Sequence, residues 1–237
     1  MRATAVALLP LLALWFSRGS SAAEDPYGDE RRDMVEAQIR ARGVRDERVL
    51  AAMRQVPRHL FVPEAVRPQA YADYPLPIGF QQTISQPYIV ALMTSLLELK
   101  GDERVLEVGT GSGYQAAVLS GVAREVYTIE ILDPLAQQAR ATLAGLGYAN
   151  VHCRTGDGYE GWPDAAPFDA ILVTAAPEKI PQPLKDQLKV GGRLVIPVGS
   201  FFQDLKVLKK TETGFETKNI IPVRFVPMTG EAQKPPG

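Results

Sequence analysis

The sequence predicts an α/β protein in which a doubly wound, mostly parallel sheet of seven strands has helices on both faces. Short β-branched runs alternate with helical stretches between residues 104 and 198, a pattern typical of a parallel sheet with crossover helices. The segment before residue 100 carries apolar residues at helical spacing, which predicts N-terminal helices. After Gly199 two longer runs predict a C-terminal antiparallel hairpin at the edge of the sheet.

The composition excludes several classes of function. The chain has 237 residues, 46% of them hydrophobic, and a formal charge of −1, which suits one folded unit with a buried core. Its basic residues are scattered, so we expect no nucleic-acid partner. One cysteine and two histidines are too few for a metal cluster or a histidine-activated nucleophile, so we predict no metal site.

Residues 1–23 have the layout of a secretory signal peptide, with an apolar run followed by small residues that end at Ala23. We therefore expect cleavage near Ala23 and export to the periplasm. The run is short and contains Pro10, so we expect no membrane span. The alternative is an upstream start codon, since Met34 could begin a complete cytoplasmic protein.

The N-terminal region predicts three helices and one long loop. A first helix begins near Asp29 and stops at Gly43, and Asp46 caps a second helix that Pro57 closes. Residues 63–77 are rich in Pro, Tyr and Asp and predict an ordered loop.

A third helix is predicted to begin at Ser85. Ser85 has the chemistry of an N-cap, Pro87 suits the first turn, and the apolar spacing continues to Lys100.

The alternating region predicts five strands, three helices and a final hairpin. The strands are 104–108, 125–130, 151–155, 168–174 and 192–198, and the helices are 114–120, 134–146 and 183–188. The hairpin joins 204–210 to 215–226. The polar, proline-rich end from Glu231 is expected to fray.

A glycine-rich turn follows the first of these strands and is the strongest local signal. Gly109, Gly111 and Gly113 give the spacing G-x-G-x-G, whereas a dinucleotide fingerprint would have its last glycine at Tyr114. Glu107 would place a negative charge beside a pyrophosphate, but the same charge favours a cationic sulfonium or ammonium group. We therefore expect a positively charged ligand at the carboxyl edge of the sheet.

Two further acidic residues lie at strand ends near that edge. Glu130 ends the second strand, where a carboxylate can accept hydrogen bonds from ribose hydroxyls. Asp157, between Gly156 and Gly158 after the third strand, could accept from the exocyclic amine of adenine. Each also has an ordinary structural reading, a solvated strand end for Glu130 and an Asp-Gly turn for Asp157.

These segments resemble the S-adenosylmethionine-binding motifs of the seven-stranded, Rossmann-like methyltransferases. The resemblance implies S-adenosyl-L-methionine as the cofactor. The cofactor-binding residues that it implies are Gln82, Glu107, Gly109, Thr110, Gly111, Ser112, Gly113, Glu130, Ile131, Asp157, Gly158 and Thr174.

Four other segments resemble protein-L-isoaspartate O-methyltransferases in their order along the chain. They are 57–63, 75–88, 168–176 and 223–228, and the most specific stretch is Thr83-Ile84-Ser85-Gln86-Pro87. The similarity runs from about Asp33 to Gly230, with Phe80 where a more polar residue is expected.

The second resemblance implies an enzyme that methylates the carboxylate of L-isoaspartyl residues in damaged proteins and peptides, with D-aspartyl residues as a further substrate. It places Ser85 and Thr83 at the acceptor site, with the Ser85 hydroxyl bonding the substrate carboxylate. Residues 223–226 would lend backbone groups to an extended peptide. We expect a monomer.

Three alternatives remain open on the residues. A nicotinamide-dependent oxidoreductase would need the third glycine of its fingerprint and a proton-relay residue. A methyltransferase acting on RNA would need a basic acceptor cleft, and one acting on a small molecule would share the cofactor motifs. An exported protein that binds the cofactor without turnover would suit the leader.

The expected domain organisation has four parts. They are a signal peptide at 1–23, an N-terminal helical cap with the substrate-binding segment at 24–100, the cofactor-binding core at 101–200, and C-terminal strands with a flexible tail at 201–237.

Overall fold

The computed structural model describes residues 25–234, so the predicted signal peptide lies outside the described residues and export stays a prediction. The strands are β1 (Leu76–Gly79), β2 (Gln82–Ile84), β3 (Arg104–Val108), β4 (Glu125–Glu130), β5 (Val151–Thr155), β6 (Phe168–Val173), β7 (Leu188–Val198), β8 (Gln203–Thr211) and β9 (Gly214–Val223). The α-helices are α1 (Gly28–Asp33), α2 (Glu47–Gln55), α3 (Pro87–Leu96), α4 (Tyr114–Ser120), α5 (Asp133–Gly145) and α6 (Gln182–Asp186).

Seven strands form one mixed sheet in the order β5-β4-β3-β6-β7-β8-β9, and β1 and β2 form a separate antiparallel pair. The first five strands of the large sheet are parallel, whereas β8 and β9 run antiparallel at one edge. The predicted fold class, a doubly wound seven-stranded sheet with a C-terminal edge hairpin, is confirmed.

The two faces of the sheet bury separate apolar clusters, because successive side chains of a strand point to opposite faces. In β6, Ala170 and Leu172 pack in the cluster that includes residues of α2 to α5, whereas Ile171 and Val173 pack in the cluster that includes Leu184 of α6. Helices on both sides therefore hold the strand ends at one edge in fixed positions.

The first predicted helix is α1 followed by one π-helical stretch, Met34–Ile39, and a 3₁₀ turn, Arg40–Arg42. It ends at Gly43, which has a φ of 98°. The predicted cap of the second helix is confirmed, because the Asp46 carboxylate accepts from the Arg48 backbone N–H at 2.9 Å.

The predicted cap of the third helix is wrong. The N-cap of α3 is Gln86, whose backbone carbonyl accepts from the N–H groups of Ile89 and Val90, and no side-chain hydrogen bond caps the helix. Ser85 instead follows directly on β2. The helix ends at Leu96 and not at Lys100, since Glu98 adopts a φ of 53°.

The β1–β2 hairpin was not predicted, and the expected loop at 63–77 contains a 3₁₀ helix, Glu64–Gln69. The hairpin turn consists of Phe80 and Gln81, which both have positive φ angles. Residues in this conformation are usually Gly, Asn or Asp, so the sequence carried no turn signal.

The start of β7, the end of β9 and the structure of the C-terminal tail differ from prediction. The strand β7 begins at Leu188 and not at 192, and β9 ends at Val223 and not at 226. The chain does not fray at Glu231, because Gly230–Gln233 form a 3₁₀ helix and the Glu231 N–H donates to Asp157 at 2.7 Å.

Among residues 25–234, no helix combines the length and apolarity that crossing a bilayer requires.

Candidate active site

A cavity of about 460 Å³ opens at the carboxyl edge of the parallel strands. Its walls include residues that follow β3, β4, β5 and β6, together with the β1–β2 turn and residues 226–229. Parallel strands end at a common edge, and ligands of such sheets bind there. The volume lies within the range of about 300–1,000 Å³ found for small-molecule sites.

Twelve of the fourteen predicted site residues line this cavity. They are Gln82, Thr83, Ser85, Gly109, Thr110, Gly111, Ser112, Glu130, Ile131, Asp157, Gly158 and Thr174. The two others, Glu107 and Gly113, are not part of its lining. Gly113 packs instead against α5, where an added Cβ would lie 3.1 Å from Leu143.

The glycine turn is pinned to the strands on either side of it. The N–H groups of Gly109 and Thr110 both donate to the Ile129 carbonyl, at 2.8 and 3.1 Å. The Thr174 hydroxyl lies 2.7 Å from the Gly109 carbonyl, and a Cβ on Gly109 would approach that hydroxyl to 2.3 Å. Only glycine fits here, so the turn presents its backbone to the cavity in one fixed conformation.

Glu107 lies beneath the glycine turn and is completely buried. Its carboxyl group accepts from the Thr128 hydroxyl at 2.5 Å, and that hydroxyl is 2.6 Å from the hydroxyl of Thr110. Burial raises the pKa of Glu107 to about 8, so the group is mainly neutral at pH 7. The negative charge expected beside the ligand is therefore largely suppressed by a proton.

Glu130 faces the cavity as predicted, and two backbone groups hold its carboxylate in place. One oxygen accepts from the Gly111 N–H at 2.9 Å and the other from the Leu132 N–H at 3.0 Å. Each carboxylate oxygen has a second lone pair, so Glu130 can still accept two hydroxyl groups of a ligand.

Asp157 lines the cavity and also anchors the C-terminal 3₁₀ helix. Its two oxygens accept from the N–H groups of Tyr159, at 2.9 Å, and Glu231, at 2.7 Å. Gly158 beside it leaves no space for a side chain, since a Cβ would lie 2.3 Å from Val108. Glycine is therefore fixed here by packing against Val108, and its backbone forms part of the cavity wall.

A further part of the cavity wall comes from the β1–β2 hairpin and the residue after it. Phe80 and Gln81 form the turn, and residues 82–85 continue along the cavity. No hydrogen bond commits the Ser85 side chain to capping α3. Thr83 and Ser85 thus line the same cavity as the glycine turn.

Residues 226–228 close a third side, and they differ from the predicted peptide edge. The N–H and carbonyl of Phe225 bind the Gln203 side chain at 2.6 and 3.1 Å, and the Val226 carbonyl accepts from the Ala176 N–H at 2.9 Å. The Phe225 N–H cannot pair with a peptide while its bond to Gln203 persists, whereas each of the two carbonyls keeps a second lone pair. The prediction that all of 223–226 lends backbone groups is therefore wrong for the Phe225 N–H alone.

Sequence reasoning missed two groups of lining residues. Tyr114 and Gln115 begin α4, directly after the glycine turn, and their position in the first helical turn was a usable signal. Thr229 and Gln233 lie in the expected tail, and no local pattern placed them near the cavity.

The chain matches one family model over residues 29–233, the protein-L-isoaspartate(D-aspartate) O-methyltransferase family. A protein-L-isoaspartate O-methyltransferase of Opitutus terrae is 59% identical over 229 residues, which cover 95% of this chain and 98% of that protein. One from Synechococcus sp. is 58% identical over 214 residues, which cover 87% of this chain and 88% of that protein.

Solved structures agree with these matches. A protein-L-isoaspartate O-methyltransferase superposes with a TM-score of 0.77 and 30% identity over 85% of this chain and 67% of that one. A Plasmodium falciparum protein described as a putative protein-L-isoaspartate O-methyltransferase, in complex with S-adenosyl-L-homocysteine, gives a TM-score of 0.72 and 25% identity over 84% of this chain and 98% of that one.

Proposed function

Because the chain belongs to the protein-L-isoaspartate(D-aspartate) O-methyltransferase family, we propose that it methylates the free carboxylate of L-isoaspartyl residues in damaged proteins and peptides. Membership makes the protein an enzyme that uses S-adenosyl-L-methionine as its methyl donor. The observation that carries the proposed acceptor is a cavity that the rigid glycine turn, Thr83 and Ser85 line together.

The residues of the cavity fit the cofactor. Glycines at 109 and 158 stand where any side chain would collide with Thr174 or Val108, and both contribute backbone to the cavity wall. Glu130 offers two fixed acceptor oxygens suited to the ribose hydroxyls, and Asp157 lies on the same cavity wall. When bound, the cofactor supplies an electrophilic methyl group on a positively charged sulfur.

The acceptor needs no general base. The free carboxylate of an isoaspartyl residue is its main-chain α-carboxylate, which has a pKa of about 3.5 and is already ionised at neutral pH. One carboxylate oxygen forms a bond to the methyl carbon while the carbon–sulfur bond breaks, and both charges disappear. The protein has to align the reactants and exclude water, which contributes up to about 7–11 kcal/mol in well-oriented systems.

We assign Ser85 and Thr83 to holding the acceptor carboxylate. A hydroxyl that donates to a charged oxygen makes a stronger hydrogen bond than a neutral pair does. Glu107, mainly neutral at pH 7 because burial raises its pKa to about 8, adds little negative charge beneath the site. The approach of an anionic acceptor is therefore not opposed from below the glycine turn.

The product explains how methylation would begin repair. The backbone nitrogen of the next residue can attack the new ester, lose its proton and expel methanol, which leaves a succinimide ring. Hydrolysis of that ring yields either the normal aspartyl or the isoaspartyl peptide. We include D-aspartyl residues as a second substrate class.

The proposed acceptor is tested with matched peptides that differ only in whether one residue is aspartyl or isoaspartyl. S-adenosylmethionine with a labelled methyl group should label the isoaspartyl peptide alone, and the label should be lost in base because a methyl ester hydrolyses there. Bound cofactor without transfer to either peptide would contradict the proposal and favour a cofactor-binding protein without turnover.

A further inference from the structure

Two neighbouring phenylalanines between β7 and β8 are almost completely exposed. Phe201 has 98% of its surface exposed and Phe202 has 95%. Large apolar side chains this exposed lose the free energy that burial would provide. Two such side chains next to each other in one turn point to an interaction site.

The turn that carries the Phe pair, Phe201 and Phe202, is held in one conformation. The Gly199 N–H donates to the Pro177 carbonyl at 3.0 Å. Gly199 has a φ of 131°, and a Cβ there would lie 2.0 Å from the Phe202 carbonyl. The Ser200 carbonyl accepts from Gln203 at 3.4 Å, so both ends of the turn are fixed.

The same glutamine ties the Phe pair to the wall of the active-site cavity. Gln203 is buried, and its amide group binds both backbone groups of Phe225, the residue before cavity-lining Val226. Pro177, which holds Gly199, follows Ala176, and the Ala176 N–H donates to the Val226 carbonyl. The Phe pair thus lies at the same edge of the sheet as the cavity and is joined to its wall through Gln203 and Phe225.

We propose that the Phe pair binds apolar side chains that flank the isoaspartyl residue of the acceptor polypeptide. The inference rests on the proposed function, because it concerns how that acceptor is held outside the cavity. An acceptor chain that places its carboxylate between Ser85 and the glycine turn must leave the cavity on both sides, and the wall at Val226 leads to the Phe pair.

The surroundings favour a polypeptide over a lipid surface. Residues 199–204 contain one charged side chain, Asp204, and the segments hydrogen-bonded to the turn add Glu178, Lys179 and Arg224, so basic residues are balanced by acidic ones. A loop that binds anionic lipid usually adds Lys or Arg to its aromatic residues. Aged or partly unfolded proteins, by contrast, expose apolar side chains next to the damaged residue, which is the chemistry that the Phe pair can bind.

The test compares two isoaspartyl peptides of equal length and charge, one with leucine on both sides of the damaged residue and one with serine. The full-length protein is compared with the double variant Phe201→Ser/Phe202→Ser. We measure kcat/KM, and also the dissociation constant of each peptide with S-adenosylhomocysteine present. We expect the wild type to prefer the leucine peptide about tenfold, or about 1.4 kcal/mol, in both quantities. In the double variant, kcat/KM and affinity for the leucine peptide should fall to those of the serine peptide. The values for the serine peptide itself should not change.

Two further variants separate a direct contact from a change in fold. Phe201→Leu/Phe202→Leu should keep most of the preference, because leucine retains an apolar surface. Val190→Ser removes an apolar residue that is 60% exposed at the opposite end of β7, and it should change neither peptide's values.

Equal values for wild type and the double serine variant would overturn the inference, and so would an equal loss on both peptides. If the double serine variant keeps the peptide preference but no longer forms a dimer that the wild type forms, the Phe pair serves self-association. If it keeps the preference but no longer binds phosphatidylglycerol vesicles that the wild type binds, the Phe pair contacts a membrane. A wild type that labels neither peptide would refute the acceptor and the apolar contact together. The first two outcomes refute the contact alone.

Discussion

The sequence gives Ser85 two possible roles, as the N-cap of α3 and as a residue of the acceptor site. An N-cap hydroxyl would bind the backbone of α3, but the N-cap of that helix is Gln86. Ser85 lines the cavity instead, together with Thr83 and the glycine turn. Its effect on catalysis can therefore be separated from its effect on stability.

Replacement of Ser85 by alanine should slow methyl transfer and spare the cofactor. A hydrogen bond to a charged group contributes about 1.5–3 kcal/mol, so kcat/KM for an isoaspartyl peptide should fall by about 10- to 100-fold. The dissociation constant of S-adenosylmethionine, measured by calorimetry, should stay within about twofold. The matched control is Ser95→Ala, since the Ser95 hydroxyl binds the Leu92 carbonyl within α3. Unchanged turnover in Ser85→Ala would remove Ser85 from the acceptor site.

The β1–β2 hairpin is the element in which the backbone conformation departs most from what its residues prefer. Phe80 and Gln81 have φ angles of 51° and 58°, a region that costs most residues about 1 kcal/mol or more each. Both residues line the cavity. Strain that is retained at a site wall indicates that the side chains are needed there.

Replacing the turn by Phe80→Asn/Gln81→Gly should stabilise the protein and weaken peptide methylation. The Asn-Gly pair suits two positive φ angles, so the free energy of unfolding in urea should rise by about 1 kcal/mol. Loss of two cavity-lining side chains should raise the KM for the peptide.

The control for this prediction is Glu98→Asn, which relieves another positive φ, of 53°, at a residue outside the cavity. The substitution also removes the largely exposed ion pair of Glu98 with Arg193, so stability should change little, and KM should not change. A hairpin variant with unaltered KM would mean that Phe80 and Gln81 do not contact the acceptor.

Elements with a periodic pattern and a defined end could be predicted, and those fixed by distant contacts could not. The alternation from β3 to β7 and the Asp46 cap both follow from local chemistry. The β1–β2 turn carries no turn residues, and the tail at Glu231 is ordered by Asp157, which lies 74 positions earlier. Neither could be read from its own segment.

The same division applies to the candidate site. Glycine spacing located the turn at 109–111, because a close backbone approach needs glycine wherever the ligand lies. The charge state of Glu107 could not be predicted, since burial and not position in the motif raises its pKa. The involvement of Gln233 depends on how the whole chain returns to the cavity.

At the scale of the whole molecule, Glu107 links stability to pH. Its pKa is about 8 in the folded protein, against 4.5 for a glutamate side chain that is exposed to water. Between these values the folded state keeps a proton that the unfolded state releases, so this residue's contribution falls as pH rises. The contribution is complete below about 4.5 and is lost by about pH 8.

The variant Glu107→Gln should therefore flatten the pH profile. Relative to wild type, its free energy of unfolding should increase from pH 5 to pH 8 by about 1.4 kcal/mol per pH unit and stay constant above that. Urea unfolding of both proteins at several pH values measures this difference. Burial lowers the pKa of His59, so His59 makes stability rise with pH, but it is present in both proteins and its effect cancels in the difference. Parallel profiles for the two proteins would show that Glu107 is ionised when folded.

The outer strand of the large sheet, β9, has a free edge at which a second copy of the protein could pair. One side of β9 pairs with β8, while the other exposes backbone groups that could template a further strand. Glu216 and Lys218 put charges along this edge, and Pro222 removes one donor from it. A second copy that docked here would have to desolvate those charges, so this border resists fibril growth.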